Sequence, residues 1–127
     1  MTFAYKNLYI KGVADKTAAW LGSALADLRA FPADARRDAG FELRRVQQGL
    51  DPDDWKPMSS IGPGVREIRI HTGLEHRIFY VATSTEAVYV LHAFEKRTRK
   101  TPKQHLQLAQ DRLRALVSRR QTDAGKK

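Results

Sequence analysis

The chain has 127 residues, no cysteine, and 23 lysines and arginines against 14 aspartates and glutamates, a formal charge of +9. That length suits one domain with its own core, the lack of cysteine excludes disulfides and thiolate metal sites, and the charge favours a polyanionic partner, nucleic acid first. No apolar run approaches the roughly 18 to 20 residues of a membrane span, and Met1 to Asp15 lacks the apolar core of a signal peptide, so the expected compartment is the cytoplasm. His71, His76, His92 and His105 show no metal-ligand spacing, and neither a metal nor another cofactor is expected.

Met1 to Asp15 alternates weakly through Phe3, Tyr5, Leu8 and Ile10, and reads either as an added edge strand or as a leader. Lys16 to Gly22, with Ala18, Ala19, Trp20 and Leu21, is expected to be the first strand of the domain. Ser23 has the hydroxyl of a helix N-cap, Leu25 and Leu28 share a face, and Pro32 closes that helix by disfavouring helical geometry at Phe31. Pro32 also suits the first position of a second helix, whose Ala35, Ala39, Leu43, Val46 and Leu50 recur at spacings of three and four, with Gly49 as its stop. The two helices form a hairpin with a shared apolar face, and Arg36, Arg37, Arg44 and Arg45 lie mostly on solvated flanks. Asp51 to Gly64 is rich in proline, glycine and acid, and is expected to be a loop pinned by Trp55 and Ile61.

Three strand-like segments follow, Val65 to His71, His76 to Thr83 and Ala87 to Phe94, joined by short connections that favour an antiparallel meander. The last is almost continuously apolar, as a strand buried on both faces is. Lys96, Arg97, Arg99, Lys100 and Lys103 then arrive too densely for a buried strand, so the sheet must end near Phe94 or Glu95. Thr101-Pro-Lys-Gln104 reads as a capping box with Pro102 at the first helical position. Leu106, Ala109, Leu113, Leu116 and Val117 form the apolar stripe of the helix it opens, and fraying is expected from Ser118 onward. The expected architecture is α+β, with one domain over residues 16–117, an N-terminal extension over 1–15 and a polar basic tail over 118–127.

Strand alternation puts Arg69 on a polar face with Glu67 and His71, and Arg77 on the side of Phe79 and Val81. Should a tight hairpin bring Arg69 and Arg77 onto one face, their guanidiniums repel unless an anion lies between them, and a phosphate suits their planar forks. Lys96 and Arg97 stand where they complete such a site. The charge run taken alone reads at least as readily as a solvated turn. His92 sits with Val88, Val90 and Phe94, as a core histidine does, with a ring able to act as base or acid near neutral pH.

The combination of Trp20-Leu-Gly-Ser23, Pro57-Met-Ser-Ser-Ile-Gly-Pro-Gly-Val-Arg-Glu-Ile-Arg69, Arg77-Ile-Phe-Tyr-Val81 and Val90-Leu-His-Ala-Phe-Glu-Lys-Arg-Thr-Arg-Lys-Thr-Pro102 resembles the phage-derived HigB-like toxins of the RelE/ParE superfamily, from about Lys16 to Val117. The resemblance implies a RelE/ParE-like fold, an N-terminal helical hairpin and a C-terminal helix on a small, mostly antiparallel sheet. It implies the toxin of a type II toxin-antitoxin pair, with a helix-turn-helix, HigA-like antitoxin as partner in a hetero-oligomer. RelE-like members cut messenger RNA, usually in the ribosomal A site, through basic strand residues matched here by Arg69 and Arg77 and a basic residue after the last strand, matched by Lys96 or Arg97. No C-terminal catalytic tyrosine is evident.

RNA cleavage by the 2'-hydroxyl needs that hydroxyl deprotonated, the phosphorane charge balanced and the 5'-oxygen protonated. On this basis Arg69 and Arg77 are expected to stabilise the phosphate and Lys96 or His92 to transfer protons, a lysine needing its pKa lowered by neighbouring cations. Arg66, Arg97, Arg99 and Lys100 are the expected RNA-binding residues. A ParE-like inhibitor of DNA gyrase shares the fold without needing clustered acid, base and phosphate groups, and a non-enzymatic phage accessory protein that binds nucleic acid fits the same charge.

Overall fold

The computed structural model of the chain describes residues 15–125, so the expected edge strand or leader at the N-terminus lies almost wholly outside the described residues. The elements run β1 (Thr17–Trp20), α1 (Ala24–Arg29), α2 (Ala33–Gln47), β2 (Trp55–Pro57), β3 (Val65–His71), β4 (Glu75–Val81), β5 (Ala87–Glu95) and α3 (Lys103–Gly125). The five strands form one sheet in the order β1-β5-β4-β3-β2. Every pairing is antiparallel except β1 with β5, which the helical crossover makes parallel. The architecture is the expected α+β one, consistent with a RelE-like fold.

Period-two alternation in the strands gives the sheet two apolar faces. On one face, Leu28, Phe31, Ala35, Ala39, Leu43 and Val46 of the helical hairpin pack on Ile68, Ile70, Ile78, Tyr80, Val88 and Val90. On the other, Leu106, Ala109, Leu113 and Leu116 of α3 cover Phe79, Val81, Leu91 and Phe94. Each fully buried side chain of this size stabilises the fold by about 1.5–3 kcal/mol relative to exposure. β5 lies inside the sheet and is buried on both faces, as its unbroken apolar run requires.

Four local expectations are corrected. Trp55–Pro57 is a short edge strand rather than loop: its proline stands opposite Arg66 at the sheet's edge, where a missing N–H is tolerated. Ser23 precedes α1, but its hydroxyl donates to Asp27 Oδ2 at 2.8 Å instead of accepting from a backbone amide. Pro32 and Pro102 each stand one residue before the first turn, their carbonyls accepting from Arg36 N at 2.8 Å and His105 N at 3.1 Å. Pro102 therefore takes the place expected of Thr101. Finally, α3 stays helical through 118–125, beyond the last residue of its apolar stripe. Gly49 ends α2 as expected, with φ 84°. Among the described residues, no helix is long and apolar enough to cross a membrane.

Candidate functional site

The β3–β4 hairpin sets Arg69 directly opposite Arg77, on the face that α3 only partly covers. The anion between them is part of the protein. Glu67, two residues before Arg69 and so on the same face, accepts from Arg69 Nε at 3.1 Å and lies 3.8 Å from Arg77 Nε. It is only 2 % exposed. Arg77 is itself buried, and its Nη1 donates to Glu75 Oε1 at 2.9 Å and to the His76 carbonyl at 3.1 Å. The guanidinium repulsion foreseen from sequence is thus relieved from within, and the arginine of the pair with more exposure is Arg69.

The second part of the site rests on an irregularity in β5. Tyr80 pairs with Val90 and Phe79 with His92, which leaves Leu91 as the extra residue of a bulge. Without the bulge, alternation would put His92 on the helical-hairpin face with Val88 and Val90. With it, His92 moves to the α3 face beside Phe94. Arg112 of α3 secures the bulge, Nη1 donating to the Leu91 carbonyl at 2.8 Å and Nη2 to Ser23 Oγ at 3.0 Å. That guanidinium lies across Gly22, where a Cβ would fall 2.6 Å from Nε and φ is +54°.

Once turned, His92 meets His105, three residues into α3, with Nε2 and Nδ1 2.8 Å apart. Phe94 stacks on His105 at 4.0 Å and 13°. Burial first, then the charges of His105 and Arg112, push the His92 pKa down to about 4, so the ring is neutral at physiological pH. Burial also lowers His105, which is nevertheless the more exposed of the two. Between two neutral imidazoles one nitrogen donates and the other accepts. In the arrangement in which His105 Nδ1–H donates to His92, His105 Nε2 keeps a free lone pair and can act as a base. Sequence reasoning passed over His105 because only the tertiary approach of α3 to the bulge gives it a partner.

The cations expected after the last strand lie in the 96–102 turn between β5 and α3. Lys96 N–H donates the sheet's last bond, to Glu75 O at 2.8 Å, and its ammonium donates to the Arg99 carbonyl at 2.6 Å. Arg97 is 79 % exposed and lies 3.4 Å from Glu95. Arg99, Lys100 and Lys103 are exposed, and among the described residues no carboxylate pairs with them. Arg66 does not join this group: it is on the opposite face of the sheet, bonded to Asp51 at 2.9 Å and 3.9 Å above the Trp55 ring. Among the described residues there is no cluster of three or more side chains able to hold a metal ion.

The five-stranded sheet with a helical hairpin on one face, α3 on the other and a basic turn at the open end of β5 defines a small α+β domain of the RelE-like type. The family model described as Phage derived protein Gp49-like (DUF891) matches residues 26–114, well over half the chain, and the protein belongs to that family. The family is one of the RelE/HigB-like group of toxin-antitoxin toxins. No curated protein matches the chain.

Proposed function

We propose that the protein is the toxin of a type II toxin-antitoxin pair and a metal-independent endoribonuclease that cleaves messenger RNA, in the cytoplasm and at the ribosome. The observation that carries this reading is the His92–His105 pair, an oriented pair of imidazoles with a neutral His92, beside the basic turn between β5 and α3. His105 Nε2 takes the proton of the 2'-hydroxyl, whose oxygen attacks the adjacent phosphorus while the bond to the 5'-oxygen breaks and that oxygen takes a proton from solvent water, the imidazolium later returning its own proton to solvent. The products are a 2',3'-cyclic phosphate and a 5'-hydroxyl. His92 is a positioning residue: it holds the His105 tautomer and the imidazolium that forms. Lys96 and Arg69 balance the phosphorane charge, Arg97, Arg99 and Lys100 hold the backbone, and Arg77 with Glu67 aligns Arg69. A helix-turn-helix antitoxin is the proposed partner.

The test is cleavage of a labelled RNA by the purified protein in EDTA, with and without ribosomes. His105→Ala is expected to lose 100-fold or more of the rate, the typical contribution of a single acid-base group being about 10²–10⁴. The internal neutralisation of Arg69 and Arg77 by Glu67 and Glu75 favours a second reading, a ParE-like protein that binds gyrase without cutting RNA. Growth arrest with intact transcripts and induced DNA damage signalling would select it.

A further inference from the structure

A groove of about 330 Å³ runs between the end of α1 and the outer edge of β5, and reaches the first turn of α3. β1 pairs with β5 only as far as Val90, and past that residue the edge of β5 faces the groove instead of another strand. Two imidazoles enter its lining from opposite faces of the sheet, His76 at 1 % exposure and His92 at 4 %. Each has a buried Nδ1 with no hydrogen-bond partner. One such atom costs about 1–3 kcal/mol. Two such residues lining the same groove point to a ligand that completes them.

The rest of the lining says what kind of ligand. Phe31, tilted against His76 with ring centroids 4.3 Å apart, and Phe94, stacked on His105, supply apolar walls. The carboxylates of Asp27 and Glu95 also line the groove. Aromatic walls with imidazole and carboxylate partners at their edges match a nucleobase, whose face is apolar and whose edge carries donors and acceptors. Guanine fits best. Its vicinal N1–H and N2–H donors suit a carboxylate, and its O6 and N7 acceptors suit imidazole N–H groups. Glu95 leads directly into Lys96 and Arg97, so a base seated in the groove leaves its phosphate against the cationic turn.

We propose that this groove is a nucleobase pocket that takes a guanine of the RNA, an inference that rests on the nuclease reading for its substrate but has a separate test. The probes are guanosine and cytidine 3'-monophosphate, titrated calorimetrically against the whole chain. The guanine nucleotide is expected to bind at least tenfold more tightly. Ala30→Phe fills the groove from an exposed position, and His76→Leu removes one unpartnered nitrogen at similar volume. Both are expected to lower guanosine 3'-monophosphate affinity tenfold or more. His76→Leu should also melt at the same temperature as the parent or higher, which a histidine needed only for folding would not do. Equal binding of the two nucleotides, or unchanged binding by both variants, overturns the pocket. Cleavage of RNA with no preference for guanosine beside the cut also overturns it while leaving the nuclease reading intact. If RNA is not cut, the nuclease reading falls, and the nucleotide titration still decides the pocket.

Discussion

At the level of single residues, the charges that look alike in sequence divide into two kinds. Arg77 is buried between Glu67 and Glu75, and removing it takes the closest cation from Glu75 but leaves Glu67, at 2 % exposure, still bonded to Arg69. Arg77→Ala is therefore expected to cost about 1–3 kcal/mol in urea unfolding, the loss of a charge-assisted partner, so its effect on activity reports on the fold first. Glu67→Gln acts in the opposite sense on ligands: with that internal anion gone, Arg69 becomes available to phosphate, while Arg77 stays paired with Glu75. The variant should bind single-stranded RNA more tightly than the parent by filter binding, at lower thermal stability. His92 makes the domain sensitive to acid. Its folded pKa of about 4 lies below its unfolded value near 6.5, so the unfolded chain takes up the proton first. The associated stability is full above the unfolded pKa and is lost as pH falls from about 6.5 to 4, to the order of 3 kcal/mol. His76 and His105, both lowered chiefly by burial, add in the same direction. A His92→Phe variant should show a shallower loss of stability over that window.

Among the elements, β5 decides where the proposed chemistry sits. Its apolar run and its termination in charge are legible in the sequence, as are the helical hairpin, the β3–β4 hairpin and the amphipathic stripe of α3, because each depends on local spacing. The bulge at Leu91 is not, since it is defined by pairing with Phe79 and Tyr80, and it reverses the face of His92. Strand parity did place Glu67 beside Arg69. What parity does not carry is burial, which makes Glu67 the anion between the two arginines. His105 lacks any local signal, for the group that gives it meaning is 13 residues away. The bulge in turn depends on Arg112, whose guanidinium is shared by β5 and the start of α1. Arg112→Ala is expected to lower stability by about 1–3 kcal/mol, the cost of an unpaired buried carbonyl. It should also broaden or shift the His92 and His105 ring signals in NMR spectra. An Arg112 variant with unchanged stability and ring signals would show that the bulge holds His92 without it.

For the whole molecule, a formal charge of +9 is spread unevenly. Arg44, Arg45, Arg66, Arg69, Arg77 and Arg120 all lie within ion-pair distance of a carboxylate. The turn between β5 and α3 keeps Arg99 and Lys100 exposed beside a groove and an oriented imidazole. RNA binding through roughly four such cations should weaken about 50-fold between 50 and 200 mM salt, following the single-strand slope of about 0.7 per phosphate contact. Substituting Arg99 and Lys100 with alanine should flatten that slope by about half, whereas Arg37→Ala on the far side of α2 should leave it unchanged. The central claim is that a histidine pair assembled by the β5 bulge cleaves RNA. Its most direct measurement is the rate at which the purified chain, in EDTA and on programmed ribosomes, produces 2',3'-cyclic phosphate ends. The expected result is cleavage by the parent and a fall of 100-fold or more for His105→Ala, with the variant's melting temperature preserved. Equal cleavage by parent and variant, or intact RNA from a parent that still arrests growth, would contradict it.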